Sequence, residues 1–151
     1  LQMMTVLNAV RKIGGEYEVR EDGILFRGSK KLVGIELETD THPGFMTDWQ
    51  QPFVVALTQA GGTSVVHETV YEERFGYTEA LKNMGADITL SSNCLGQLPC
   101  RFKEQNYKHS AVITGPAKLH AAQVEVPDIR ACLAYAHAVI AHDSLDAVQV
   151  Q

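Results

Sequence analysis

The feature that most limits how this chain can fold is a pattern it carries twice. Val6-Leu7-Asn8-Ala9-Val10-Arg11-Lys12-Ile13-Gly14-Gly15-Glu16-Tyr17-Glu18-Val19 and Tyr77-Thr78-Glu79-Ala80-Leu81-Lys82-Asn83-Met84-Gly85-Ala86-Asp87-Ile88-Thr89-Leu90 both read as a helix, a glycine stop and an alternating strand. In the first copy Met3, Val6, Leu7, Val10 and Ile13 recur at helical spacing, and Gly14-Gly15 supplies the left-handed residue that ends a helix. Each copy is followed by a second short strand running into a glycine, Gly23 to Gly28 and Ser110 to Gly115. A further echo pairs Thr47-Asp48-Trp49-Gln50 with Pro127-Asp128-Ile129-Arg130, each after a strand-like segment, Val33 to Glu38 and Gln123 to Val126. Self-similarity at so long a period marks a repeated supersecondary unit. The unit predicted is strand–helix–strand–helix–strand–strand, an α/β (α+β) architecture of repeated βαβαββ units. Residues 31–116 form one complete copy, 1–30 the tail of another and 117–151 the head of a further one. At 151 residues these pieces share one domain. A chain that opens in a helix and closes in the alternating Ala147 to Gln151 reads as cut from something longer, and the edges so left invite self-association.

Composition narrows the function classes. Thirteen basic against 18 acidic residues give a net charge of −5, which lacks the footprint of a non-specific nucleic-acid binder but permits a local basic pocket for an anionic metabolite. No run approaches the ~18 apolar residues that span a bilayer, and Leu1-Gln2-Met3-Met4 does not open a signal peptide. No membrane partner is expected. Three cysteines are too few and too irregular for a disulfide framework, so the expected setting is cytoplasmic and reduced.

Within the complete copy, Pro43-Gly44 forces a turn, and Thr47 precedes Gln50 by three residues, the spacing of a capping box. Phe53, Val54, Leu57 and Ala60 form the buried stripe of the helix that follows, with Pro52 disturbing its first turn and Gly61-Gly62 ending it. Thr63 to Val70 is rich in β-branched residues and reads as a strand; Phe75, Ala80, Leu81 and Met84 mark a second helix. Ser91 to Phe102, polar and rich in proline and glycine, reads as a mobile surface loop. Cys94 and Cys100 in that loop, with His109 and His120 beyond it, suggest zinc, but the Cys-x5-Cys spacing lacks the tight pair of structural zinc sites. The preferred reading is loop thiols and no metal. A third helix, Asp128 to about Ala141, is apolar around most of its circumference, with Cys132 as a small core residue.

The polar groups that stand out share one position, where a strand gives way to a helix: Thr47-Asp48, Val70-Tyr71-Glu72-Glu73-Arg74 and Asp128-Ile129-Arg130. Helix N-termini favour anions, and Arg74 and Arg130 offer bidentate contacts to phosphate or carboxylate. Asp48 beside such a site can accept a proton from a substrate hydroxyl. Asp48 and Asp128 can equally be helix caps, and the two arginines surface ion-pair partners.

Several segments, in order along most of the chain, resemble one family: His42-Pro43-Gly44-Phe45-Met46-Thr47-Asp48-Trp49-Gln50, Gly62-Thr63-Ser64, Glu68-Thr69-Val70-Tyr71-Glu72-Glu73-Arg74-Phe75, Met84-Gly85-Ala86, Val112-Ile113-Thr114-Gly115-Pro116 and Pro127-Asp128-Ile129-Arg130-Ala131. They are similar to the UDP-N-acetylglucosamine 1-carboxyvinyltransferases, the enolpyruvyl transferases that open bacterial peptidoglycan synthesis. The resemblance implies the inside-out α/β barrel of that family, two domains of three repeats each with the active site between them. It implies transfer of enolpyruvyl from phosphoenolpyruvate to the 3-hydroxyl of UDP-N-acetylglucosamine, with no cofactor. Asp48 would be the candidate base; Thr47, Val70, Tyr71, Arg74, Asp128 and Arg130 would line the substrate cleft. The family's cysteine-bearing phosphoenolpyruvate loop has no counterpart here, and neither Cys94, Cys100 nor Cys132 stands in its context. The chain alone is therefore expected to be one wall of the cleft and inactive. The alternative is a non-catalytic, divergent domain of the same fold used for binding or assembly; the RNA-end cyclase branch of similar repeat folds is disfavoured by the net charge.

Overall fold

The computed structural model describes residues 3–27, 31–125 and 149–150 of the chain. Helix α1 (Met4–Lys12) leads into strands β1 (Glu16–Arg20) and β2 (Gly23–Arg27), which pair antiparallel. Then come β3 (Glu36–Glu38), a 3-10 turn over Thr47–Trp49, α2 (Gln50–Thr58) and β4 (Gly62–His67). Helix α3 (Thr78–Asn83), β5 (Asp87–Ser91) and β6 (Ser110–Gly115) complete the set, followed by the short parallel pair β7 (Gln123–Val124) and β8 (Gln149–Val150). The central sheet has the order β3-β4-β6-β5, with β3 parallel to β4 and the other pairs antiparallel. The α/β class and the strand–helix–strand–helix–strand–strand order expected from the sequence are both present.

The echo between residues 6–19 and 77–90 has a physical basis in the helix ends. Gly14 (φ 90°) donates to the Arg11 carbonyl and Gly15 to that of Val10; Gly85 (φ 102°) donates to Lys82 and Ala86 to Leu81. Both are Schellman motifs, which glycine adopts at C′ without steric cost. Each ends its helix at the same point and sends the chain into an antiparallel strand pair. The core gathers buried residues of all three helices against the sheet: Val6 and Ala9 from α1 with Ile13 just past it, Phe53, Val54 and Leu57 from α2, Leu81 from α3, against Leu37, Val66, Ile88, Ala111 and Ile113.

Local bounds depart from the sequence reading where side chains outcompete the ladder. The strand expected over Val33 to Glu38 is reduced to β3, with Val33 contributing a single bridge to Gly61. The strand expected to reach Val70 stops at His67: the Glu68 amide still meets the His109 carbonyl in register, but Thr69 exchanges two hydrogen bonds with Thr39 through their side chains. Phe75 is buried ahead of α3 rather than within it. The segment after β5 is not a loose loop: Phe102 is buried and Gln97 and Leu98 donate their amides to Glu38. The third helix and Cys132 lie outside the described residues.

Candidate functional site

The two strand-to-helix junctions of the complete copy are joined by one side chain that the sequence reading left without a role. Glu68, fully buried just past β4, accepts four hydrogen bonds. Its Oε2 receives the Thr47 hydroxyl at 2.8 Å and the Gln50 amide at 3.2 Å; its Oε1 receives the backbone amides of Val70 at 2.9 Å and Tyr71 at 3.1 Å. Gln50 in turn accepts the Tyr77 hydroxyl at 2.9 Å. A buried carboxylate is tolerated when its lone pairs are taken by donors in this way. The expected capping box is therefore corrected: neither Thr47 nor Gln50 caps a helix, and both turn inward to Glu68.

This core of bonds aims the groups above it. Asp48, in the 3-10 turn, has its side chain 72% exposed, and its Oδ1 lies 3.2 Å from Nη2 of Arg74, whose side chain is 11% exposed. The Arg74 guanidinium stands 5.5 Å from the Tyr71 ring centroid, a cation–π contact, and its Nε is buried with no hydrogen-bond partner. Glu73, immediately before it, holds φ at 50°, a left-handed conformation uncommon outside glycine, and this turn brings Arg74 back toward Asp48. Asp48, Arg74 and Tyr71 thus converge. The amides of Val70 and Tyr71 are spent on Glu68, so these two N–H groups are not free for an anion as the sequence suggested. Thr47 is buried beneath the site. Asp128 and Arg130 lie outside the described residues. A concavity of about 410 Å³ borders Glu73, Phe75 and Tyr107 but includes neither Asp48 nor Arg74.

A second polar cluster forms at the other face of the β4 terminus. Cys94 and Cys100 are joined as a disulfide, not left as the loop thiols expected. One ligand atom from each of these two, His67 and His109 lies within 4.8 Å of the rest; His120 is exposed elsewhere, with Nδ1 on the Ala121 carbonyl. Partial burial pushes the neighbouring Glu38 carboxyl up, but the Gln97 and Leu98 amides and the His67 ring outweigh it and hold it below its ordinary value. His67 and Glu38 drew no attention in the sequence, since one sits in a run of β-branched residues and the other ends a strand.

No helix among the described residues is long and apolar enough to cross a membrane. The sequence model of the family described as EPSP synthase (3-phosphoshikimate 1-carboxyvinyltransferase) matches residues 1–151. The chain is 57% identical over 146 residues to a UDP-N-acetylglucosamine 1-carboxyvinyltransferase from Protochlamydia amoebophila, which takes in 95% of this chain and 31% of that relative. It is 51% identical over 139 residues to the protein of the same name from Chlamydia muridarum, 91% of this chain and 31% of the other. The chain therefore spans about a third of the length of these relatives. In structure it is similar to the enolpyruvyl transferase NikO from Streptomyces tendae, with a TM-score of 0.77 at 19% identity over 93% of this chain and 29% of that one. An EPSP synthase from Acinetobacter baumannii follows at TM-score 0.58 and 15% identity, covering 89% and 29%. These matches agree with the α/β architecture, and the chain belongs to the EPSP synthase family of enolpyruvyl transferases.

Proposed function

We propose that this chain forms one wall of the acceptor cleft in an enzyme that transfers enolpyruvyl from phosphoenolpyruvate to the 3-hydroxyl of UDP-N-acetylglucosamine, a cytoplasmic step of peptidoglycan synthesis. The observation that carries the reading is the exposed Asp48 carboxylate held against Arg74 on a junction fixed by Glu68. The carboxylate takes the hydroxyl proton as the sugar oxygen bonds to the enolpyruvyl carbon, and phosphate leaves. Arg74 orients that carboxylate through Oδ1 and brings a positive charge to the rim for an anionic group of the substrates. Tyr71, with its ring exposed beside Arg74, supplies a face for the nucleotide-sugar. Residues 1–30, 31–116 and 117–151 are read as the tail, the complete copy and the head of successive repeats, with Asp128 and Arg130 completing the rim. The phosphoenolpyruvate loop belongs to sequence beyond this wall. A non-catalytic role is disfavoured because it gives no reason to keep an exposed carboxylate and a mostly buried arginine paired at the rim.

The test is Asp48→Asn in the full-length protein. A base predicts kcat reduced by about 10²–10⁴-fold with UDP-N-acetylglucosamine affinity within about threefold of the parent. Asparagine caps a helix about as well as aspartate, so a turnover within threefold of the parent would leave Asp48 as a structural residue. The isolated chain should release no phosphate from the two substrates together.

A further inference from the structure

We propose that His67, Cys94, Cys100 and His109 form a structural zinc site in the reduced protein. Four observations converge on it. His109 is fully buried, and its Nδ1 lies 2.8 Å from the Tyr107 carbonyl. A carbonyl only accepts, so Nδ1 carries the proton and Nε2 presents a lone pair, 3.4 Å from Sγ of Cys94. His67 is also fully buried; its Nδ1 lies 3.2 Å from Oε2 of Glu38, and its Nε2 has no hydrogen-bond partner. The carboxylate again only accepts, which makes Nε2 the bare nitrogen on this ring as well. Two buried imidazoles, each with Nδ1 tied to an oxygen and clustered with two sulfurs, are the arrangement in which an outer oxygen orients a metal-binding histidine. Finally, the four ligand atoms span no more than 4.8 Å. Around zinc, with bonds of about 2.3 Å to sulfur and 2.0–2.1 Å to nitrogen, tetrahedral neighbours sit roughly 3.3–3.8 Å apart, so the set needs adjustments on the order of 1 Å.

Two thiolates and two imidazoles select zinc over the hard cations, and four protein ligands leave no open position, so the role is structural. The frame is already in place. Gln97 and Leu98 donate to Glu38 at 2.7 and 2.9 Å, Ser110 ties the loop at Asn93 and Leu95, and Phe102 packs its ring 5.6 Å from that of His109. A Cβ on Gly96 would collide with Glu38 and His67, so the loop needs glycine to approach this closely. Loading follows reduction of the Cys94–Cys100 disulfide by a dithiol: the reductant becomes a cyclic disulfide, the protein gains two thiols, and zinc displaces their two protons. The ion would then clamp the end of β4 one residue before Glu68, the side chain that sets both junctions.

The experiment takes the full open reading frame, reduced under a phosphine reductant, stripped with chelator and titrated with zinc or cobalt(II). The expected result is one zinc per chain by elemental analysis, and a cobalt form with the intense visible bands and sulfur charge-transfer of a tetrahedral site. Cys100→Ser, in a partly buried loop position, should weaken zinc binding by at least about 100-fold with the far-ultraviolet dichroism unchanged; Cys132→Ser should leave it intact. A reduced, folded protein that takes up no zinc, weak six-coordinate cobalt bands, zinc binding indifferent to Cys100→Ser, or a Cys94–Cys100 bond that persists under the reductant would each overturn the proposal.

Discussion

Glu68→Gln tests the claim that one buried carboxylate organises the site. The carboxylate serves four donors in two pairs, Thr47 and Gln50 on one oxygen, Val70 and Tyr71 on the other. A glutamine can keep only one pair on its carbonyl. If it keeps the backbone amides, its NH2 faces Thr47, whose hydroxyl can rotate to accept, and the NH2 of Gln50, which cannot. Turning Gln50 over would relieve that contact only by taking its carbonyl from the buried Tyr77 hydroxyl. Either way one buried donor loses its acceptor, at about 1–3 kcal/mol. The retained bonds also fall from charge-assisted strength toward about 0.5–1.5 kcal/mol each, a loss partly offset because no charge is then desolvated. The net destabilisation expected is about 2–4 kcal/mol, or a Tm lower by roughly 4–16 °C for a chain of this size. Urea denaturation followed by circular dichroism, with the slope m unchanged, measures it. A loss below about 0.5 kcal/mol would show that desolvation dominates and that Glu68 does not hold the junctions. Glu68→Gln with Tyr77→Phe should cost less than the sum of the two, because Gln50 can then reverse.

Tyr77→Phe alone leaves the Gln50 carbonyl buried without its donor and should cost about 1–3 kcal/mol in the same denaturation assay. Leu57→Ala, at a fully buried position of α2, should cost about 2–5 kcal/mol without altering Asp48 or Arg74, so any remaining activity of the full-length protein should keep its KM. Gly85→Ala forces a side chain to φ 102° with its Cβ 3.0 Å from the Lys118 carbonyl, and its loss by thermal melting should exceed the 0.4–1 kcal/mol by which alanine can stabilise elsewhere, in the opposite direction.

What the sequence reveals follows the range of the interactions. The helix ends at Gly14 and Gly85 are legible because a Schellman motif is closed within six residues, and the apolar stripe of α1 because it repeats with the helical period, whereas α2 is buried on nearly every side. Thr47-x-x-Gln50 has the spacing of a capping box, and the residues are right; only their partner is wrong, since Glu68 lies 18 residues beyond Gln50 and the pattern holds no trace of it. The loop after β5 reads as mobile from its composition, yet its amides reach Glu38, 59 and 60 residues away. His67 escapes a search by spacing for the same reason: the antiparallel register that sets it opposite Ser110 brings it to His109, which the sequence does single out.

The chemistry left to the rim is fixed by what lies under it. An anion at a strand-to-helix junction is ordinarily held by backbone amides. Here the amides of Val70 and Tyr71 are already committed to Glu68, and α3 is a six-residue helix that begins only at Thr78. These two amides therefore cannot cradle an anion without breaking the bonds that shape the junction. Under the proposed function, recognition would pass to side chains that the same bonds hold in position, the Asp48 carboxylate and the Arg74 guanidinium, paired at 3.2 Å. A carboxylate at the rim repels phosphate, so Asp48 suits a hydroxyl, and the guanidinium beside it suits the charged part of the same ligand. An acceptor carrying a hydroxyl next to an anionic group meets both demands at once, whereas a phosphate alone would meet only one.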